Sequence, residues 1–235
     1  MQFAGKKLRH EHKYYISMNE YEGLRRRIRP LLAMDRNSIG EEGYHIRSLY
    51  FDDAHERSLF DKNNGYFHRK KYRIRIYNIS DKIIKLERKS KYNEYVAKES
   101  ASLSRTQVDN LLKGEYDSLR EIGSPVAEDF YWDLRAGKMR PSVIVDYWRE
   151  AYIEPFSDTR ITFDKELSAG LHEFDLFDDK VSTWYALNEP KMILEVKYNH
   201  YLPGSVAGLL QMSAHQRSTI SKYVLCKERQ KVFLS

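Results

Sequence analysis

The chain has 235 residues, 41% hydrophobic and 31% charged, with 40 Lys and Arg against 34 Asp and Glu and a formal net charge of +6. The length suits one domain over residues 1–235 with a buried core, and neither a run of ~18 apolar residues nor an apolar stretch behind the N-terminal lysines is present, so no transmembrane segment or leader is expected. One cysteine, Cys226, excludes an internal disulfide framework and fits a reducing, cytoplasmic setting.

In chain order, Leu8–Ile16 reads as a strand, and Ser17 with Glu20 forms a capping box that opens a helix towards Leu32. A strand at Tyr44–Phe51 and a short helix at Ala54–Lys62 follow, closed by the turn residues Asn63-Asn64-Gly65. Three strands come next, Arg69–Ile79, Lys82–Ser90 and Glu94–Ala101, joined at Ser80-Asp81 and Lys91–Asn93 by links short enough for hairpins. Ser104 caps a helix that stops at Gly114, and Pro125 sits at the first position of another. Ser142–Glu154, Arg160–Lys165 and Lys191–Asn199 read as strands, with a weaker one near Leu171–Leu176, and the chain from Val206 reads as helical with a break near Arg217–Ser218. Short links between strands favour an antiparallel sheet or closed barrel with helices outside, an α+β fold, over a parallel sheet that needs helical crossovers.

Residues two apart on a strand share a face. That rule gathers Glu11 with Lys13, Arg73 with Arg75, Lys85 with Glu87 and Lys89, and Glu195 with Lys197. Lys98, Arg149 and Arg160 join them, and apolar residues occupy the opposite faces. Such rows could be the ordinary wet face of a half-buried sheet. Two features favour an inward direction: Arg and Lys recur with a lone Glu, and the amphipathic helices need the apolar strand faces. Nine cations and three carboxylates would then carry the whole +6 inside, which argues against nucleic acid, a ligand that needs its basic excess on an outer surface. Convergent Arg forks and Lys ammonium groups suit a polyphosphate, and Glu11, Glu87 and Glu195 could hold a divalent metal that bridges phosphate oxygens.

Competing signals are weak. No P-loop or GxGxxG motif is present. His10 and His12 read as packing or surface residues, Cys226 as an inert helix residue, and Ser221 as a helix-face hydroxyl and not a nucleophile. Asp52-Asp53 and Asp178-Asp179 read as turn or cap residues.

At these residues the chain resembles the vacuolar transporter chaperone (VTC) polyphosphate polymerase domain of the triphosphate tunnel superfamily. The likeness runs through Arg9-His10-Glu11-His12-Lys13-Tyr14, Ile46-Arg47-Ser48-Leu49-Tyr50-Phe51-Asp52, Arg73-Ile74-Arg75, Leu86-Glu87-Arg88-Lys89, Val96-Ala97-Lys98, Arg160-Ile161-Thr162-Phe163-Asp164, Leu194-Glu195-Val196-Lys197 and Ser221-Lys222-Tyr223. The resemblance implies an eight-stranded antiparallel tunnel that binds ATP and inorganic polyphosphate with a divalent metal, Mn²⁺ before Mg²⁺. It matches Arg73, Arg75, Lys89, Lys98, Arg160 and Lys222 to phosphate-handling positions and Glu195 to the metal ligand. Lys13, Lys85, Arg149, Lys197 and Ser221 are added as substrate-binding residues, with Glu11 and Glu87 as supporting carboxylates. His10 stands where the family often has tyrosine, on the face away from the tunnel. The family's membrane and regulatory parts have no counterpart here, which leaves docking to a membrane-protein partner. The expected reaction passes the ATP γ-phosphoryl group to a growing polymer through a tunnel open at both ends. The rivals are a tripolyphosphate hydrolase on the same fold, a non-catalytic polyanion sensor and, last, a nucleic-acid binder.

Overall fold

A computed structural model describes residues 2–3, 6–7, 9–64, 66, 68–92, 95–187, 190–210 and 216–234. Eight strands form one antiparallel path: β1 (His10–Ser17), β2 (Tyr44–Asp52), β3 (His68–Tyr77), β4 (Ser80–Tyr92), β5 (Tyr95–Leu103), β6 (Arg140–Glu154), β7 (Thr159–Gly170) and β8 (Lys191–Tyr198). Their spatial order is β1-β8-β7-β6-β2-β3-β4-β5. Two short strands lie off this path, Ala33–Met34 on β6 and Thr183–Tyr185 on β7. The two ends of the path meet at an isolated antiparallel bridge between Arg9 and Val96, so the sheet curls into a barrel joined at that seam by one bridge among the described residues.

The expected strands are present, with differences at their ends. The capping box of α1 (Met18–Ile28) forms as read, Ser17 Oγ accepting from the Glu20 amide and Glu20 from the Ser17 amide, but the helix stops at Ile28, before Pro30. α2 spans Arg57–Asn63, and Gly65 of the turn read after it lies outside the described residues, as do Leu8, Asn93 and Glu94. Ser104 caps α3 (Arg105–Leu112), and Pro125 opens α4 (Pro125–Arg135). Leu171–Leu176 is not a strand; instead β7 runs on to Gly170 through a register shift between Lys165 and Ser168, where Glu166 takes a left-handed φ of 55°. The extra residue of a bulge changes which side chains face inward.

The apolar strand faces do point outward. Leu49, Phe51, Tyr72, Ile74, Ile76, Ile84 and Leu86 pack under α3 and α4. Tyr14, Ile16, Tyr152, Ile161, Phe163, Leu194 and Val196 pack under α1 and α5 (Gly204–Leu210). One helix also reaches the inner face. α6 (Lys222–Leu234) sets Tyr223, Val224 and Cys226 in one cluster with Val143, Val145, Ala169 and Ile193. By register, Val143 and Val145 share the inner face with Tyr147 and Arg149, so α6 fills that part of the lumen and the barrel is not open there. No helix among the described residues is long and apolar enough to cross a membrane.

Candidate functional site

Where α6 does not fill it, the lumen is a cavity of about 550 Å³. Among the described lining residues are ten basic side chains against two carboxylates. Strand register explains the convergence. Lys13 faces Glu195 and Glu11 faces Lys197 across β1 and β8, while Arg73 faces Glu87 and Lys71 faces Lys89 across β3 and β4. Side chains directly opposite on one face lie close enough to pair.

Two ion clusters result. On β1 and β8, Lys197 Nζ lies 2.9 Å from Glu195 and 3.5 Å from Glu11, and Lys13 Nζ lies 3.4 Å from Glu195 and 3.7 Å from Glu11. Lys89 reaches across from β4 to Glu11 at 2.7 Å. Burial opposes ionisation of Glu195, but Lys197, Lys13 and Lys222 hold its carboxyl well below the usual carboxylate range. Burial pulls Lys89 the other way, and with Lys13 and Lys197 nearby its pKa falls to about 8 despite Glu11.

On β3 and β4, buried Glu87 accepts from Arg73 Nε at 2.7 Å and from Lys98 Nζ at 2.7 Å, with Arg75 Nη1 at 3.9 Å. Burial works against its charge, yet Arg73, Arg75 and Lys98 hold its carboxyl far below the ordinary value. Two tyrosines that the strand pattern did not single out orient the arginines. The Tyr50 hydroxyl accepts from Arg73 at 2.7 Å and the Tyr147 hydroxyl from Arg75 at 3.0 Å; Arg75 also donates to Ser48 Oγ at 3.1 Å. Burial would raise the Tyr147 phenol, but Arg149 and Arg75 bring it below its ordinary value.

The start of α6 forms part of the wall, with Ser218, Thr219, Ser221 and Lys222 lining the cavity. The first amides of a helix have no partner within it and favour anions. Lys222 Nζ lies 2.5 Å from Asp164, a third residue not singled out as a site residue from the sequence, and Asp164 also takes Arg149 in a fork at 2.6 and 2.8 Å. Arg149 Nη2 stands 3.4 Å from Glu195. Gly43 has φ 91°, and a Cβ there would lie 2.0 Å from the Arg149 carbonyl oxygen, so only glycine lets β2 begin against this strand.

The structure therefore brings Lys13, Arg73, Arg75, Lys89, Arg149, Lys197, Ser221 and Lys222 to one cavity with Glu11 and Glu195. Three expected residues fall elsewhere. Arg160 is held by Asp35 at 2.5 Å and the Tyr44 hydroxyl at 2.7 Å, away from the cavity lining. Lys85 donates to Ser102 at 2.8 Å in an exposed position. Lys98 touches the site only through Glu87 and its side chain is 53% exposed. All three lie on the inner rows, opposite the lining residues Lys197, Arg75 and Lys89, but each is held by its own partner and does not line the cavity.

The three glutamates do not converge either. Glu87 belongs to the arginine cluster, and no group of three His, Cys, Asp or Glu side chains suited to a metal occurs among the described residues. Glu11 and Glu195, sharing Lys13 and Lys197, remain as a carboxylate pair. One or two carboxylates completed by substrate phosphates suffice for a hard divalent cation, so Glu11 and Glu195 are the carboxylates that could hold one, while Glu87 stands apart in the arginine cluster. His10 and His12 pack on Tyr198, on the other face, as read. Asp52 caps the chain at the Asp53 and Ser58 amides and also accepts from the Tyr223 hydroxyl.

This architecture recurs in solved structures. A putative adenylate cyclase from Bacillus halodurans superposes with a TM-score of 0.50 at 13% identity, over 92% of this chain and 95% of that one. A putative adenylate cyclase from Vibrio parahaemolyticus gives 0.51 at 10% identity, over 94% and 98%. At such identities the likeness is one of fold. No curated protein matches the chain. The family model of the VTC domain matches residues 8–229, from the residue before the seam to the last turns of α6, and the chain belongs to the VTC domain family.

Proposed function

We propose that this chain is a metal-dependent polyphosphate polymerase that transfers the γ-phosphoryl group of ATP to the end of a growing polyphosphate. One observation carries the reading: a cavity inside the barrel is lined by ten basic side chains and two carboxylates, a charge imbalance that a bound polyanion would neutralise. The acceptor is a terminal phosphate oxygen, ionised at neutral pH. Its lone pair forms a bond to the γ-phosphorus as the bond to the β,γ-bridging oxygen breaks, and ADP leaves with that electron pair. No general base is required, so the protein's part is positioning and charge. Arg73 and Arg75, aimed by Tyr50 and Tyr147, clamp phosphate oxygens. Lys13, Lys197 and Lys89, now held on Glu11 and Glu195, turn to the substrate. Lys222 and the first amides of α6 receive the transferring group. A divalent cation, Mn²⁺ before Mg²⁺, would be held by Glu195 and Glu11 and would offset charge on the donor phosphates.

The polymer assay tests this. ATP with Mn²⁺ should give polymer on a stained gel with matching release of ADP. Arg75→Ala or Glu195→Ala should lower the rate by ~10²–10³-fold while circular dichroism stays unchanged; retained synthesis counts against this site. The part of the lumen filled by α6 favours one second reading, a tripolyphosphate hydrolase, because a pocket closed on one side also suits a short substrate and water. Orthophosphate without polymer would select it.

A further inference from the structure

A second cavity, of about 670 Å³, lies on the outer side of the barrel wall. Trp148 and Lys165 sit opposite each other on β6 and β7. Each is one residue from an inward neighbour, Arg149 or Asp164, so both point away from the lumen. Met18, Tyr21, Glu22 and Arg25 of α1 form another wall, with Tyr185 and Met192. The volume is that of a small-molecule site. Its charges divide into two sets. Arg25 and Lys165 are already committed: fully buried Glu150 accepts from Arg25 Nε at 3.0 Å and from the Tyr21 hydroxyl at 2.5 Å, with Lys165 Nζ at 3.6 Å. Lys165 also reaches Glu42 at 3.2 Å, and Arg25 donates to the Glu41 carbonyl at 3.2 Å. Glu22 and Glu166, by contrast, take part in no ion pair among the described residues, and the remaining lining cation, Lys191, is exposed. The bulge in β7 turns Glu166 out of the strand's alternation and towards this cavity. The Tyr21 ring is covered by the Lys165 ammonium at 5.5 Å, whereas Trp148 and Tyr185 are 37% and 59% exposed.

We infer that this outer cavity binds a small primary amine in its ammonium form, carried on a flat apolar body: an arylalkylamine. The ammonium pairs with Glu22 and Glu166, and the body lies on Trp148 and Tyr185, with Met18 and Met192 beside it. A cation over an indole or phenol face gains further from the ring quadrupole. The same walls discriminate against other ligands. A neutral analogue would desolvate the two carboxylates without pairing them, and an anion would meet them as like charges while the cations stay on Glu150 and Glu42. The site is separated from the lumen by the β6–β7 wall, and the inference does not rest on the polyphosphate reading.

Titration of the full chain with tryptamine and with its neutral isostere tryptophol, followed by ligand-observed NMR, tests this. The unmodified protein should bind tryptamine about tenfold more tightly than tryptophol, in line with two partly exposed ionic contacts. E22Q/E166Q should lose that preference, and W148A should weaken both ligands. Equal binding of the two, binding of neither at millimolar concentration, or a preference that survives E22Q/E166Q overturns the site. So does tighter binding of indole-3-acetate than of tryptamine, which would make Arg25 and Lys165 the groups that read the ligand. Should W148A not fold, E22Q/E166Q decides alone, because neither glutamate is buried or ion-paired among the described residues. None of these outcomes depends on what the lumen binds, so the polyphosphate reading stands or falls separately.

Discussion

The inner face of the barrel has two halves built from the same kind of strand. Where α6 enters, the inward residues are Val143, Val145, Ala169 and Ile193, packed on Val224 and Cys226. Where no helix enters, the inward residues are Lys13, Arg73, Arg75, Lys89, Lys197 and their carboxylates. β6 passes from one regime to the other between Val145 and Arg149, and β7 between Asp164 and Ala169. A barrel interior must be filled by side chains or occupied by a ligand. One half is filled by the chain itself, and the other keeps its ions paired with one another around the cavity.

The contrast can be broken most severely by putting a charge into the filled half. Val145→Asp, fully buried in the native protein, should cost about 3–5 kcal/mol in urea unfolding; a loss below 1 kcal/mol would mean that water already reaches this half. Next comes the open half. Glu87→Gln removes the carboxylate that gathers Arg73, Arg75 and Lys98 and should cost about 3 kcal/mol, part of it recovered when tripolyphosphate is added. Failure of the ligand to restore the melting temperature would show that these cations do not reach it.

A pH series sharpens the comparison further. Lys89 titrates near 8 in the folded protein, below the unfolded lysine value, because burial disfavours its charge. Between pH 8 and about 10 the unfolded chain binds the extra proton, so this group makes stability rise with pH. Over the same window the cavity loses a positive charge and phosphate affinity should fall; Lys89→Arg should remove both trends. The smallest effect belongs to the filled half. The Cys226 thiol is fully buried and pushed up by that burial, so iodoacetamide should label it only on unfolding, and Cys226→Ala should cost about 1 kcal/mol.

The open half was legible because its strands alternate without interruption: β1, β3, β4 and β8 keep a two-residue period through Glu11, Arg73, Glu87 and Glu195. The filled half was not. The apolar residues of α6, Tyr223, Val224, Leu225 and Cys226, run consecutively and mark no single face, so nothing in the order of residues says the helix turns into the lumen. The bulge at Glu166 hid the change of facing along β7. Periodicity also cannot say which partner an inward side chain takes, which is why Arg160 and Lys85 were placed in the cavity although Asp35 and Ser102 hold them. Asp35, which holds Arg160, comes from an irregular segment with no pattern to read. Tyr50 and Tyr147 stood on the inward rows throughout, and attention to hydroxyls beside the arginine positions would have found them.

The seam between β1 and β5 sets a mechanical limit. Every other neighbouring pair on the path is held by a ladder of several residues, whereas the one backbone bridge at this seam among the described residues is that of Arg9 with Val96. The circumference of the lumen therefore depends on its least secured join. Parting that join would break one backbone bridge and the 2.7 Å ion pair of Glu11 with Lys89 that spans it. An opening there would give a guest a way into the lumen from the side as well as from the end.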